Sequence, residues 1–474
     1  MPVDLNVING RLVIPEVGCL EGGLSVSGGR IVALGRREDL PASRRTLDAQ
    51  GRHILPGLID PHIHLGIFID FASECESESR AALQGGVTTV GCHLARPVSY
   101  LEAYPEIKST AERRLVADLM IHLILNQEQH LREVERYARE LEVTSFKMYM
   151  CGIPGVIPHV DDAFLLEGFR RAKKAGPRCL ACVHAENADL VEQETLRFNE
   201  ETPDGTLVAW SDTRPNFAEE EAVRRAVYFA QLSGTRLYIV HLSTAEAARA
   251  LVELRPSRKQ VAVETITPYL SITKHEDLGR LGKMVPPFRD QADIDALWEA
   301  VADDRIDVIG TDHIAVRKAQ KAGAPMADAI PAAPCLETHL PTLLTEGFHR
   351  RGIRLEQLVS KVTKRPAEIF GIYPQKGTLA VGSDADFVLV DLEAELTVEA
   401  DRLASASGFS LLEGRKLKGW PSLTVKGGEV VMEDLEVTAD PGIGRVLSRS
   451  KDGKEGVWAI TPAGQAERRR RKRA

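Results

Sequence analysis

At 474 residues, with 27% charged and 43% hydrophobic residues, the chain has the make-up of a water-soluble folded protein. It is long enough for a large barrel plus an accessory domain. A net charge of −8 argues against a general nucleic-acid binder. No apolar run approaches membrane-spanning length, and Met1-Pro2-Val3-Asp4 opens without a basic region followed by an apolar one, so a cytoplasmic protein with no membrane partner is expected.

Residues 1–54 read as short strands and tight turns. Asn9-Gly10 and Gly28-Gly29 are hairpin signals beside the apolar runs Leu12-Val13-Ile14 and Ile31-Val32-Ala33-Leu34. From 55 to 373 the texture changes to apolar, β-branched runs alternating with helical periodicity. Strands are expected at 88–90, 120–125, 145–149, 179–184, 237–241, 261–265 and 306–310, and helices at 219–232, 245–254 and 292–302. This alternation favours an α/β fold, a parallel (β/α)8 TIM-like barrel. A β-rich section returns over 374–434, through 386–391 and the Gly427-Gly428 turn. Together with 1–54 it would make one small β-sandwich from both chain ends. The remainder, 435–474, is an extension whose basic run, 468–473, reads as a solvated tail. The seven cysteines have no framework spacing, and Cys179 and Cys182 read as reduced core thiols.

The barrel segment carries the chemistry. In Ile59-Asp60-Pro61-His62-Ile63-His64-Leu65, residues two apart on a strand share a face. Two imidazoles beside the Asp60 carboxylate are then a plausible first half of a divalent-metal site. Lys147, His184, His241 and Asp312 each lie in or close behind a later apolar run, where a barrel places its site. Buried lysine and aspartate are costly without partners, which favours a shared metal site over core filler.

Several segments resemble the cyclic amidohydrolases: hydantoinase/dihydropyrimidinase, allantoinase and dihydroorotase. They are Asp60-Pro61-His62-Ile63-His64, Gly85-Gly86-Val87-Thr88-Thr89, Phe146-Lys147, Val183-His184-Ala185-Glu186-Asn187, Ile239-Val240-His241-Leu242-Ser243, Pro286-Pro287-Phe288-Arg289, Gly310-Thr311-Asp312-His313 and Leu336-Glu337-Thr338. The resemblance runs in order over about residues 1 to 432. It implies two divalent metal ions, usually zinc. His62, His64 and Asp312 would hold one, and His184 and His241 the other. Lys147 would bridge them after carbamylation by carbon dioxide, which turns an amine into an anionic oxygen ligand. A hydroxide shared by the ions would attack a ring amide, with Asp312 as catalytic base and then acid. The relatives are commonly homo-oligomers, so a tetramer or dimer is implied.

The substrate side departs from the named branches. Gly66 and Ala95 stand where dihydroorotases carry anion-binding arginine and asparagine, which argues against dihydroorotate. Gly152 stands where hydantoinases have a tyrosine, while Tyr149 matches a packing aromatic. Val285 replaces a serine, a small loss where the backbone makes the substrate contact. Ala333, in Ala332-Ala333-Pro334-Cys335, replaces a glycine-rich segment and alters the lid. His93 would touch substrate or the metal shell, or be structural. His313 would orient its loop. Arg289 would pair a substrate anion or, more commonly, a barrel carboxylate. The expected activity is metal-dependent opening of a hydantoin, dihydropyrimidine, imide or ureide ring. Two alternatives stand beside it: an allantoinase specifically, or a non-catalytic assembly protein of the dihydropyrimidinase-related type.

Overall fold

The structure, a computed structural model, describes residues 2–449 apart from 154 and 256; the basic run 468–473 lies outside the described residues. Strands Leu58–His64, Val87–Leu94, Asp118–Ile124, Ser145–Tyr149, Leu180–His184, Arg236–Ile239, Val261–Ile266 and Val308–Gly310 each pair in parallel with the next. Almost every residue in them is buried, because helices cover the outside and side chains fill the inside. The expected strand and helix positions all fall on observed ones, the helices being Asn216–Ser233, Ala245–Leu254 and Gln291–Ala302. Their ends follow local chemistry. The Thr244 hydroxyl accepts from the Ala247 N–H to start one helix, and Gly234, at φ 66°, ends another.

The barrel closes through a broken strand. Val308–Gly310 lies on the seventh strand, whereas His313–Ile314 pairs in parallel with the first, His313 opposite Ile63 and Ile314 opposite His64. Thr311 and Asp312 sit at the break. Asp60 holds it from the first strand: its carboxylate accepts from the Thr311 N–H at 3.2 Å and the Thr311 hydroxyl at 2.5 Å.

The two chain ends form a single nine-stranded sheet. His53–Pro56 pairs in parallel with Val3–Ile14 and antiparallel with Phe387–Val390, which joins the N-terminal strands to Pro421–Lys426 and Glu429–Glu433. This sheet has its own apolar cluster, including Leu5, Val7, Leu24, Ile31, Phe387 and Val425. Gly28-Gly29 and Gly427-Gly428 turn two-residue hairpins, all four at positive φ. Asn9-Gly10 corrects the sequence expectation. It lies inside Val3–Ile14, at a register shift in the pairing with Gly18–Ser27, with Asn9 at φ 57°. That is a β-bulge, and Gly10 is there for space: a Cβ would come 2.4 Å from Ile54 Cδ1.

Beneath the barrel a buried ionic cluster joins it to the end sheet. Asp118, at the start of the third strand, accepts from Lys376 at 2.7 Å, Lys426 at 2.8 Å and Arg445 at 2.7 Å, and Lys376 also meets Asp384 and Asp386. The chain then runs along the underside to Arg449, which is buried and donates to Ser145 Oγ at 2.9 Å and to the Ile121 carbonyl. No helix among the described residues is long and apolar enough to cross a membrane.

Candidate metal centre

His62 and His64 leave the end of the first strand toward Asp312. Their Nε2 atoms lie 3.1 and 3.2 Å from the same oxygen, Asp312 Oδ1. His62 Nε2 nevertheless makes no aligned hydrogen bond among the described residues. The ring is oriented from its other nitrogen: Nδ1 lies 2.6 Å from Glu264 Oε1, and when this carboxyl, which burial pushes up to about 8, is ionised, Nδ1 carries the proton and Nε2 is left with a lone pair. Glu264, in the seventh strand, also accepts from the His241 N–H at 3.0 Å and the Tyr238 hydroxyl at 2.7 Å. Asp60 does not join this group. Its carboxylate is occupied by Thr311 and by the His62 N–H, so it braces the strands rather than completing the first half-site.

The second group mirrors the first. His184 Nδ1 faces His241 Nε2 at 2.9 Å, while His184 Nε2 is held by Glu186 at 2.8 Å. Glu186 in turn accepts from buried Arg214. Burial would raise the Glu186 carboxyl, yet Arg214 and His184 bring it down to about 2, so it stays an anion that fixes the tautomer of His184. The two groups adjoin: the His62 and His241 rings are stacked with centroids 5.4 Å apart. His241 and Asp312 both adopt positive φ, 39° and 53°, a backbone state disfavoured for such residues and concentrated at functional sites.

Lys147 lies in the same barrel end, fully buried, its Nζ without a partner among the described residues and 4.9 Å from the Tyr149 ring centroid. Burial pulls its pKa down to about 8. Burial, aided by Lys147, also drives the His62, His93, His122 and His241 imidazoles well below the ordinary histidine range. These rings are therefore neutral at neutral pH, the form that binds a metal. Nitrogens of His62, His93, His241 and Lys147 all lack hydrogen-bond partners among the described residues. Buried polar atoms without partners are rare in folded proteins. The ligand atoms of His62, His64 and Asp312 lie within 4.8 Å of one another. This donor set fits divalent cations. The acidic group at Asp118, Asp384 and Asp386 does not compete, because Lys376, Lys426 and Arg445 already supply its positive charge.

The amidohydrolase family model matches residues 53–431. The L-hydantoinase of Paenarthrobacter aurescens is 32% identical over 469 residues, covering 94% of this chain and 98% of its own. The chain belongs to the amidohydrolase family. An allantoinase of Solibacter usitatus is 31% identical, with 92% of this chain and 95% of its own covered. A dihydropyrimidinase from Brevibacillus agri superposes with a TM-score of 0.87 at 28% identity, over 94% of this chain and 99% of its own. These relatives put this amidohydrolase among the cyclic amidohydrolases, and it is an enzyme of that group.

The amidohydrolase's cavity over the centre is narrow, about 20 Å³. His64, His184, His241 and Asp312 are its polar lining. Tyr149, Val285, Ile67, Phe68, Ile153, Val156, Ile157, Ile314 and Pro331 are the remainder. Tyr149 thus lines the cavity as a ring stacked on His184, with centroids 5.3 Å apart. Gly152 lines a larger neighbouring cavity of about 580 Å³ that shares the wall Ile153, Val156 and Ile157. Ala333 is fully buried behind the site, its carbonyl accepting from the Ile314 N–H at 3.1 Å. Arg289 makes no contact with the cavity; it is tied to Ser243 Oγ at 3.1 Å and to the Arg214 carbonyl. His313 is anchored on both sides, by Glu78 at 2.8 Å and the Cys335 N–H at 3.1 Å, and braces its loop.

Sequence reasoning did not single out Glu264 or the Glu186–Arg214 pair. Glu264 was legible as a carboxylate inside an apolar strand, Val261-Ala262-Val263-Glu264-Thr265, the same signal that singled out Lys147.

Proposed function

We propose that this enzyme opens the ring of a hydantoin-, dihydropyrimidine-, imide- or ureide-type cyclic amide, using two divalent ions, most naturally zinc. His62, His64 and Asp312 would hold the first ion and His184 and His241 the second. Lys147, carbamylated by carbon dioxide, would bridge them. The observation that carries the reading is the meeting, at one barrel end, of two histidine pairs and a carboxylate around a buried lysine whose Nζ has no partner among the described residues. A lysine with a pKa near 8 is partly neutral at physiological pH, and only the neutral amine adds to carbon dioxide.

When bound, the ions supply a water of near-neutral pKa and a Lewis acid for the amide carbonyl. The chain's own residues do the rest. Glu264 and Glu186 hold their histidines in the tautomer that presents a lone pair. Asp312, which reaches the cavity, takes a proton from the attacking water and returns it to the departing ring nitrogen. The apolar wall excludes competing water, and Ile153, Val156 and Ile157, which it shares with the larger neighbouring cavity, are where it would open to take a ring. That wall favours an apolar ring substituent over the polar ureido group of allantoin, because burying unpaired amides against Ile67, Phe68 and Ile157 would be costly.

The test is turnover of hydantoin, dihydrouracil, allantoin, succinimide and apolar-substituted hydantoins by zinc- and bicarbonate-treated enzyme. Lys147→Ala serves as control. Turnover of one ring class, lost in the control, is the expected result. Failure to bind zinc at all would remove the reading.

A further inference from the structure

His93 has no assigned work in that chemistry, and its surroundings are unusual. It stands on the second barrel strand two residues after Gly91, so both face the barrel interior. A Cβ on Gly91 would come 2.5 Å from His122 Nε2 and 2.6 Å from the Pro61 carbonyl, so the bare glycine makes room for the His122 ring. His93 lies next to that ring, their centroids 4.5 Å apart. On its other side it meets His62 edge-on at 4.5 Å and His64 at 5.7 Å.

Its nitrogens set His93 apart from the other buried histidines. His122 Nδ1 is bonded to Ser145 Oγ, which Arg449 also reaches. Both nitrogens of His184 and of His313 are engaged. His93 is 0% exposed, and neither Nδ1 nor Nε2 has a partner among the described residues. Leaving a buried polar group unsatisfied costs about 1–3 kcal/mol, so a ring retained here needs a partner to bind. The polar side chains that surround it are His122, Lys147 and His241, together with His62 and His64, the residues assigned to the first ion.

We propose that His93 is a further nitrogen donor of the metal centre, beside His62 and His64. The inference rests on the two-ion reading above and adds one histidine to it. It also accounts for Gly91, since only a strand without a side chain there lets His122 and His93 lie side by side.

The deciding experiment is a crystal structure of the zinc-loaded wild-type enzyme with anomalous scattering. X-ray absorption of zinc-loaded wild type and His93→Phe accompanies it. A His93 nitrogen at about 2.0–2.1 Å from zinc is expected. Fewer imidazole scatterers should appear in His93→Phe, with zinc affinity falling by more than the roughly 10–100-fold loss typical of an outer-sphere partner. Zinc bound with both His93 nitrogens beyond coordination distance would overturn the proposal and leave the two-ion reading standing. Wild type that takes up no zinc would overturn both.

Discussion

Glu264 accepts three hydrogen bonds at once, from the His62 ring, the His241 backbone and the Tyr238 hydroxyl, and so ties both halves of the centre to one strand. Replacing it with leucine keeps the bulk but removes the oxygen that the His62 ring and the His241 N–H share. Zinc affinity should drop about 10–100-fold, measured by competition with a chromogenic chelator; unchanged affinity would remove Glu264 from the role assigned to it. Lys147 makes a second residue-level prediction. Burial sets its pKa near 8, so below that value the neutral fraction falls as pH falls. After the enzyme is stripped with chelator at low pH, recovery of activity on adding zinc and a fixed concentration of dissolved carbon dioxide should slow about tenfold for each step of one in pH below 8. A recovery rate flat between pH 6 and 8 would argue against reaction at this amine.

At the scale of elements, the centre depends on interrupted regularity. The eighth strand must break for Asp312 to turn inward, and Asp60 holds that break by binding Thr311. The segment after the fourth strand is just as constrained. Gly152 packs so tightly that a Cβ would lie 2.7 Å from His159 N and 2.8 Å from the Ile157 carbonyl. Both contacts are backbone, which cannot rotate away. Gly152→Ala should therefore displace the stretch carrying Ile153, Val156 and Ile157, lower stability by about 1–3 kcal/mol, and raise KM more than it lowers kcat. Thermal melting and steady-state kinetics on the best ring substrate check this. A wild-type KM would mean that this wall does not touch substrate.

For the molecule as a whole, the barrel and the end sheet are joined through charge. Asp118 is fully buried against Lys376, Lys426 and Arg445, and these cations hold its carboxyl far below the usual range despite the burial that opposes ionisation. Asp118→Ala leaves buried Lys426 without a carboxylate partner among the described residues and Lys376 with only Asp384 and Asp386, and should cost about 3–5 kcal/mol, read from urea unfolding. The linkage sign follows. A depressed carboxyl contributes stability that is full above the unfolded pKa of 3.8 and is lost as pH falls through the lower folded value. The wild-type protein should lose stability more steeply with acid than Asp118→Ala does; equal slopes would mean the cluster contributes no linkage.

The barrel was legible in the sequence because burial on both faces of a parallel strand forces continuous apolar runs, and a charged residue inside such a run stands out at once. By that signal alone His62, His64, Lys147, His184, His241 and Asp312 could be picked out, and the β-rich chain ends could be matched to each other. Three-dimensional closure decided the rest. Asp60 lies in the same heptapeptide as the two histidines, yet its oxygens turn to Thr311, a residue 251 positions away. Asn9-Gly10 has a hairpin's composition, yet Ile54 fills the space beside it and makes it a bulge. Arg289 shares a segment with family motifs, yet its Nε and Nη1 donate to Ser243 and the Arg214 carbonyl. Local sequence sets which groups are polar and which face of a strand they occupy. Which partner satisfies each buried group depends on what the fold brings within 3 Å, and hydrogen bonds and metal coordination are formed at that range.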